Sequence, residues 1–312
     1  MRSLELFCGI GGFAAAATGT GLEIVAAIDI SRQCTAVYRE NFQHPARENA
    51  LESICWGRLA DFQAQLWWLS PPCQPYTSRG RMRDLQDPRS AALVHLLGAI
   101  DKVQPDFVLL ENVARFRDSQ SVDLLRQRLR KSGYDFREWL ICPSFLGIAN
   151  RRLRYYLAAS RVAAFRNESL EEFRWNPARP CTGGSPSVPL RRSVADVLQE
   201  ENWQCQDLKI PSAIEQRYRE AINWVDPRDS RAVSSCFTSA YGRSPVYCGS
   251  YLKRCGETRY FAPLEILKLL GFDQTYQFPE NLTNRQKWNL SGNSLSVDVV
   301  REILRSLPIP PV

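Results

Sequence analysis

Histidine is scarce in this 312-residue chain, with His44 and His95 the whole supply. Ser–His–Asp triads, Cys–His dyads and His-ligated metals therefore lose most of their raw material. The ten cysteines include no C-x-x-C pair, so zinc knuckles and thioredoxin chemistry lack their spacing and no metal is expected. No apolar run reaches the roughly 18 residues that span a bilayer. Glu5 and a glycine cluster interrupt the N-terminus before it can resemble a signal peptide. These absences lead to an expectation of a soluble, cytoplasmic protein with no membrane partner. In a reducing compartment most of the cysteines are expected to be small buried apolar residues.

Lysine is nearly missing too, at six of the 40 basic residues, so arginine carries the net charge of +7. Such a bias fits recognition of phosphates and base edges by guanidinium forks, and fits a GC-rich coding composition equally well. Position says more. Residues 151–192 carry nine arginines against three glutamates, and Arg79, Arg81 and Arg83 form a second knot. Localised positive charge favours a nucleic-acid partner.

Up to residue 160 the pattern alternates strand and helix. Leu4–Phe7, Ile24–Ile28, Leu66–Leu69, Phe107–Leu110 and Tyr155–Ala159 read as strands. Helices are expected after Gly12, after an N-cap at Ser31, over Ala91–Ile100 and around Leu124–Leu129. That alternation predicts an α/β fold with a doubly wound, mostly parallel, Rossmann-like sheet. Four prolines and two adjacent glycines within 175–190 mark a linker or surface loop. Helical spacing returns from Pro263 to a stop at Gly271, and again at Val299, Val300, Ile303 and Leu304. The expected organisation is a catalytic and cofactor domain over 1–160 and a smaller, irregular target-recognition segment over 161–258. A last stretch, 259–312, completes that segment and returns by a C-terminal helix.

Four motifs sit at strand ends. Phe7-Cys-Gly-Ile-Gly-Gly12 follows the first strand, where glycines let backbone N–H groups approach a ligand, and Asp29 ends the second strand, where a carboxylate can hold ribose hydroxyls. The spacing F-x-G-x-G-G leans away from a dinucleotide and suits S-adenosylmethionine. Ser70-Pro-Pro-Cys-Gln-Pro75 holds a thiol rigidly at the carboxyl edge of the sheet, near basic residues that favour thiolate. Glu111-Asn112-Val113 puts an acid at the same edge; in isolation it reads equally well as a helix cap. In Asn150-Arg-Arg-Leu-Arg-Tyr155, strand alternation would send Arg152 and Arg154 to one side.

In this order the motifs resemble those of the cytosine-5 methyltransferases, and Ser291-Gly-Asn-Ser-Leu295 resembles the motif that returns to their cofactor pocket. Cys236-Phe-Thr238, Arg259-Tyr-Phe-Ala-Pro263 and Leu270-Gly-Phe272 resemble the tRNA-directed branch, historically numbered as the second DNA methyltransferase. Ala149 and the tract Tyr247-Cys-Gly-Ser250 depart from that branch's pattern. The resemblance implies methyl transfer from S-adenosyl-L-methionine to cytosine C5 in tRNA, with duplex DNA as the alternative substrate. It implies Cys73 as nucleophile, Glu111 at N3 and the exocyclic amine, Arg154 at the O2 edge, and Arg152 bracing Glu111 or the base. Phe7, Gly9, Gly11, Gly12, Asp29, Ile30, Pro72, Asn293 and Ser294 would bind the cofactor. Arg79, Arg81 and Arg83 would close over nucleic acid, and Asn112 would fix its turn and contact nucleic acid. Cys236 is expected to be a small structural residue.

Overall fold

In the computed structural model, Leu66–Leu69 forms a strand buried on both faces, as the centre of a parallel sheet requires. The residues described are 1–77, 83–163, 165, 170, 173 and 189–307. They fall into two compact units. The first holds the described residues of Met1–Ile141, Leu153–Cys181 and Val300–Val312; the second holds those of Cys142–Arg152 and Thr182–Val299.

The first unit is built on a seven-stranded sheet: β1 (Arg2–Leu6), β2 (Glu23–Asp29), β3 (Ala46–Glu48), β4 (Leu66–Leu69), β5 (Phe107–Val113), β6 (Asp135–Ile141) and β7 (Arg154–Ser160). Its spatial order is β3-β2-β1-β4-β5-β7-β6. Neighbours from β3 through β5 run parallel, whereas β7 is antiparallel to both β5 and β6. The expected doubly wound, mostly parallel sheet is present. Two strands escape a reading of the sequence. β3 is short and exposed, and β6 opens with Asp135, Arg137 and Glu138, so neither shows an apolar run.

Five helices of this unit pack around the sheet: α1 (Gly12–Ala17), α2 (Arg32–Asn41), α3 (Trp56–Ala60), α4 (Ala91–Val103) and α5 (Gln120–Lys131). Ser31 caps α2, its hydroxyl accepting from the Cys34 N–H at 3.3 Å. Leu93, Leu96, Leu97 and Ile100 form the buried stripe of α4, each contributing about 2 kcal/mol by leaving water.

The second unit contains α6 (Ser212–Tyr218), α7 (Pro263–Leu270), α8 (Asn284–Asn293) and a three-stranded sheet, β8 (Asn223–Val225), β9 (Ser250–Arg254) and β10 (Glu257–Arg259). Pro263 opens α7 and Gly271 ends it at φ 97°, as expected. Phe237, Tyr241, Tyr251, Phe261 and Trp288 form an aromatic core. Arg259 and Glu265 pair within it at 2.8 Å, both fully buried. The helix α9 (Val297–Ser306) crosses the boundary between the units, its first residues belonging to the second and the rest to the first.

These boundaries differ from the expected ones at 160 and 258. Residues 142–152 leave the sheet between β6 and β7 and join the second unit, anchored there by the Asn150 amide on the Ser234 hydroxyl (2.9 Å). Residues 259–299 belong wholly to the second unit because Arg259, Phe261 and Trp288 build its core. Residues 175–188 of the expected linker, with Cys181, lie outside the described residues. Among the described residues no helix is long and apolar enough to cross a membrane, and no cluster of three or more metal-ligating side chains occurs.

Candidate active site

In the first unit, register aligns the functional residues. Leu6 of β1 pairs with Leu69 of β4, and Leu69 pairs with Leu110 of β5. Just past these pairs Phe7 and Ser70 leave the sheet, while Glu111, still within β5, stands level with them near the carboxyl edge. From β1 the chain order runs to β2 on one side and to β4 on the other. A crevice at such a switch point is where open α/β sheets bind ligands.

The glycine turn is wound by left-handed residues: Phe7 at φ 58°, Gly9 at 51° and Gly11 at 86°. A Cβ at Gly11 would stand 2.3 Å from the Phe42 ring, so no larger residue fits there, whereas one at Gly9 meets nothing within 4 Å. Asp29 closes the turn. Its Oδ2 accepts the Gly9 N–H at 2.9 Å and its Oδ1 the Ser31 N–H at 2.8 Å. Burial pushes this carboxyl above its ordinary range, against the pull of those two donors. Ile30 beside it is 69% exposed. An open space over Gly9, a carboxylate with spare lone pairs and an exposed apolar side chain fit a nucleoside bearing a sulfonium side chain. Gly12 begins α1, and Pro72 is half-buried on the neighbouring loop.

Beneath the turn lies Glu5, which no motif singled out. Its carboxyl accepts from the Phe13 N–H (3.2 Å) and the Tyr38 hydroxyl (2.9 Å), and that hydroxyl also meets His44 Nδ1 at 3.2 Å. Burial pushes Glu5 up to about 8. Because 8 exceeds its ordinary 4.5, Glu5 favours the fold when protonated. That contribution is complete below about pH 4.5 and is lost as pH rises through about 8. Glu5→Gln should therefore flatten the dependence of stability on pH across this window. Urea unfolding at a series of pH values checks it; a slope as steep as that of the parent would exclude Glu5 as the source.

The thiols sort themselves by burial. Cys8 is pushed well up and Cys34 up to about 12, so neither supplies thiolate near neutrality. Cys73 is half-exposed at the start of the turn Gln74–Tyr76, and its carbonyl accepts the Tyr76 N–H at 3.0 Å. Arg89 lies within electrostatic range of that thiol. The Asp87 carboxylate grips this arginine at two points, 2.7 and 2.8 Å, and the arginine holds Asp87 down at about 2. Neither residue stands in a motif, so only the fold finds them.

Glu111 is buried and held from two sides. The Ser70 hydroxyl donates to its Oε2 at 2.8 Å, and Arg154 Nε stands 3.5 Å from its Oε1. Ser70 was not expected to act here; its place in the Phe7–Ser70–Glu111 row is the signal for it. The antiparallel register sets Arg154 opposite Val113 and Tyr156 opposite Glu111, so Arg154 reaches Glu111 along one face.

Arg152 corrects the expectation of two arginines on one side. β7 begins only at Arg154, so alternation does not extend back to Arg152. Its guanidinium, in the second unit and 3% exposed, donates to the carbonyls of Phe237 (2.9 Å), Gly292 (3.1 Å) and Ser294. The brace on Glu111 is Arg154, and Arg152 ties together two segments of its own unit. Cys236 Sγ lies 3.5 Å from the same guanidinium. Asn112 is corrected as well. At 2% exposure, its amide donates to the Pro71 carbonyl (3.0 Å) and accepts the Val113 N–H (2.8 Å), so it fixes the loop that carries Cys73 and is not open to nucleic acid. Arg83 is exposed; Arg79 and Arg81 lie outside the described residues. Asn293 and Ser294 end α8 in the second unit, Asn293 exposed.

A half-exposed thiol and a braced carboxyl near the carboxyl edge of the sheet, beside a glycine turn, are groups that a methyltransferase acting on a pyrimidine ring would need. Residues 1–308 match the family of C-5 cytosine-specific DNA methylases, and the chain belongs to that family. It is an enzyme, a cytosine-5 methyltransferase. The chain is 28% identical to the tRNA (cytosine(38)-C(5))-methyltransferase of Homo sapiens over 98% of its own length and 99% of the relative. It is 30% identical to the enzyme of the same name from Rattus norvegicus, over 98% and 99%. The S. pombe Dnmt2 methyltransferase crystal structure superposes at a TM-score of 0.84 with 27% identity, covering 98% of each chain. A Dictyostelium discoideum protein named DNA (cytosine-5)-methyltransferase is 28% identical over 99% of this chain and 95% of its own.

Proposed function

We propose that the enzyme methylates C5 of a cytosine in the anticodon loop of a tRNA through a covalent bond between Cys73 and C6, with S-adenosyl-L-methionine as the donor. The observation that supports the tRNA reading is end-to-end likeness in sequence to relatives named as tRNA (cytosine(38)-C(5))-methyltransferases. Physical cost points the same way. A loop cytosine is already unstacked, whereas extracting one from duplex DNA costs a few kcal/mol.

Phe7, Gly9, Gly11, Gly12, Asp29, Ile30 and Pro72 would hold the cofactor, which supplies an electrophilic methyl group when bound. The Cys73 thiolate adds to C6, and Glu111 hydrogen-bonds N3 and the exocyclic amine as electron density moves into the ring. Arg154 holds the Glu111 carboxyl and reaches the O2 edge. After C5 has taken the methyl, its proton passes to a water molecule, the C5–H electrons restore the C5=C6 bond, and the C6–S bond breaks to return the thiolate. Arg83 offers a contact for the RNA backbone.

Purified enzyme given labelled donor should methylate total tRNA, and bisulfite sequencing should place the mark in an anticodon loop. Methylation of duplex DNA with tRNA untouched would overturn the reading in favour of the DNA activity named for the Dictyostelium relative. Glu111→Gln keeps the shape of the side chain but weakens its hydrogen bond to N3. Methyl transfer should fall by about 10²- to 10³-fold with little change in tRNA affinity, measured by single-turnover rates and filter binding.

A further inference from the structure

Tyr247 combines two features that a fold by itself does not favour. Its backbone is left-handed at φ 59°, a conformation in which a bulky residue is an outlier and glycine is at ease. Its side chain is 84% exposed, so no burial offsets the strain, and among the described residues its ring makes no ring contact or hydrogen bond. Strain of this kind persists where the surroundings over-determine it, and it concentrates at ligand contacts.

The surroundings here are rigid. Cys248 is fully buried, and its carbonyl accepts the Thr238 N–H at 3.0 Å. Gly249 follows at φ 149°, and a Cβ there would lie 2.6 Å from the rings of Phe237 and Tyr241. Upstream, the Ser244 N–H donates to the Ala240 carbonyl at 2.9 Å, and the Tyr251 hydroxyl to the Ser244 carbonyl at 3.3 Å. The tip between these anchors lifts one aromatic ring away from the aromatic core. Arg243, four residues earlier, is exposed, and so is Arg231 of the same unit. An exposed ring on an anchored stretch of backbone, with a guanidinium near it in sequence, is the equipment that single-stranded nucleic acid uses for stacking and for its phosphates.

We propose that Tyr247 is a substrate-binding residue, its ring stacking on an unpaired base of the RNA outside the catalytic site. The proposal rests on the tRNA reading above and adds a residue in the second unit that contacts the substrate. Its test separates strain from contact. Tyr247→Gly removes both the left-handed strain and the ring; Tyr247→Phe keeps both. The glycine variant should melt at the same temperature as the parent or higher. Its KM for tRNA should rise about tenfold, the size expected for one lost base–aromatic stack, with kcat at saturating tRNA within about twofold. The phenylalanine variant should keep the KM of the parent. An unchanged KM in Tyr247→Gly, or a melting temperature lowered by several degrees, overturns the proposal. Should the parent enzyme methylate duplex DNA alone, the tRNA reading falls first and this one falls with it.

Discussion

Cys73→Ala should abolish methyl transfer, by at least about 10³-fold or ~4 kcal/mol of barrier, while leaving the fold intact. The loss is large because cytosine C5 becomes a nucleophile only after a thiolate adds at C6, and no neighbour can replace that addition. Cys8, buried, and Cys34, half-buried, are pushed too high by desolvation to serve. The fold should survive because Cys73 is half-exposed and its carbonyl, which alanine retains, accepts the Tyr76 N–H. Stability should move by less than about 1 kcal/mol in urea. A second readout is chemical. RNA carrying 5-fluorocytosine has no C5 proton to lose, so the parent enzyme should accumulate a thioether adduct that survives denaturing electrophoresis. The alanine variant should form none. A parent enzyme that methylates tRNA yet never gives this adduct would remove Cys73 from the proposed role.

The largest effect on stability should come from Glu265→Ala. This carboxylate is fully buried and satisfied by both Nη atoms of Arg259 (2.8 and 2.9 Å), the N–H groups of Gln199 (3.0 Å) and Ala262 (2.8 Å), and the Asn202 amide (3.0 Å). Truncating it strands the Arg259 charge in a dry core, which costs about 3–5 kcal/mol. The Arg259 guanidinium also lies 4.6 Å from the centre of the Trp203 ring, so tryptophan fluorescence should report the local loss. Replacing both partners together, Arg259→Met with Glu265→Leu, should recover much of the stability, because neither charge is then left alone. If the single and double variants unfold at the same urea concentration, the cost belongs to packing rather than to the stranded charge.

Legibility in the sequence followed distance along the chain. The run Leu66–Leu69 matched β4 to the residue, and Pro263 and Gly271 matched the ends of α7, because these signals are written in adjacent residues. β6 was missed because its first four residues are mostly charged or half-exposed, so it has no apolar alternation to read. Glu265 reads locally as one acid in an apolar helix, because its partners lie as far as 66 residues away.

The same division holds for the chemistry. The glycine turn, Cys73 and Glu111 are legible because each stands just after an apolar run, near the carboxyl edge where chemistry in α/β sheets gathers. The two arginines that looked equivalent were not. β7 starts at Arg154, so only that residue shares a face with Glu111, while Arg152 reaches carbonyls 85 to 142 residues away. By itself the sequence determined which residue types stand at the carboxyl edge and hence the class of reaction. Tertiary structure alone decided which arginine braces the acid, that Ser70 helps hold it, and that Asn112 serves the loop. Such roles depend on strand register and on distant backbone carbonyls, neither of which local sequence spacing encodes.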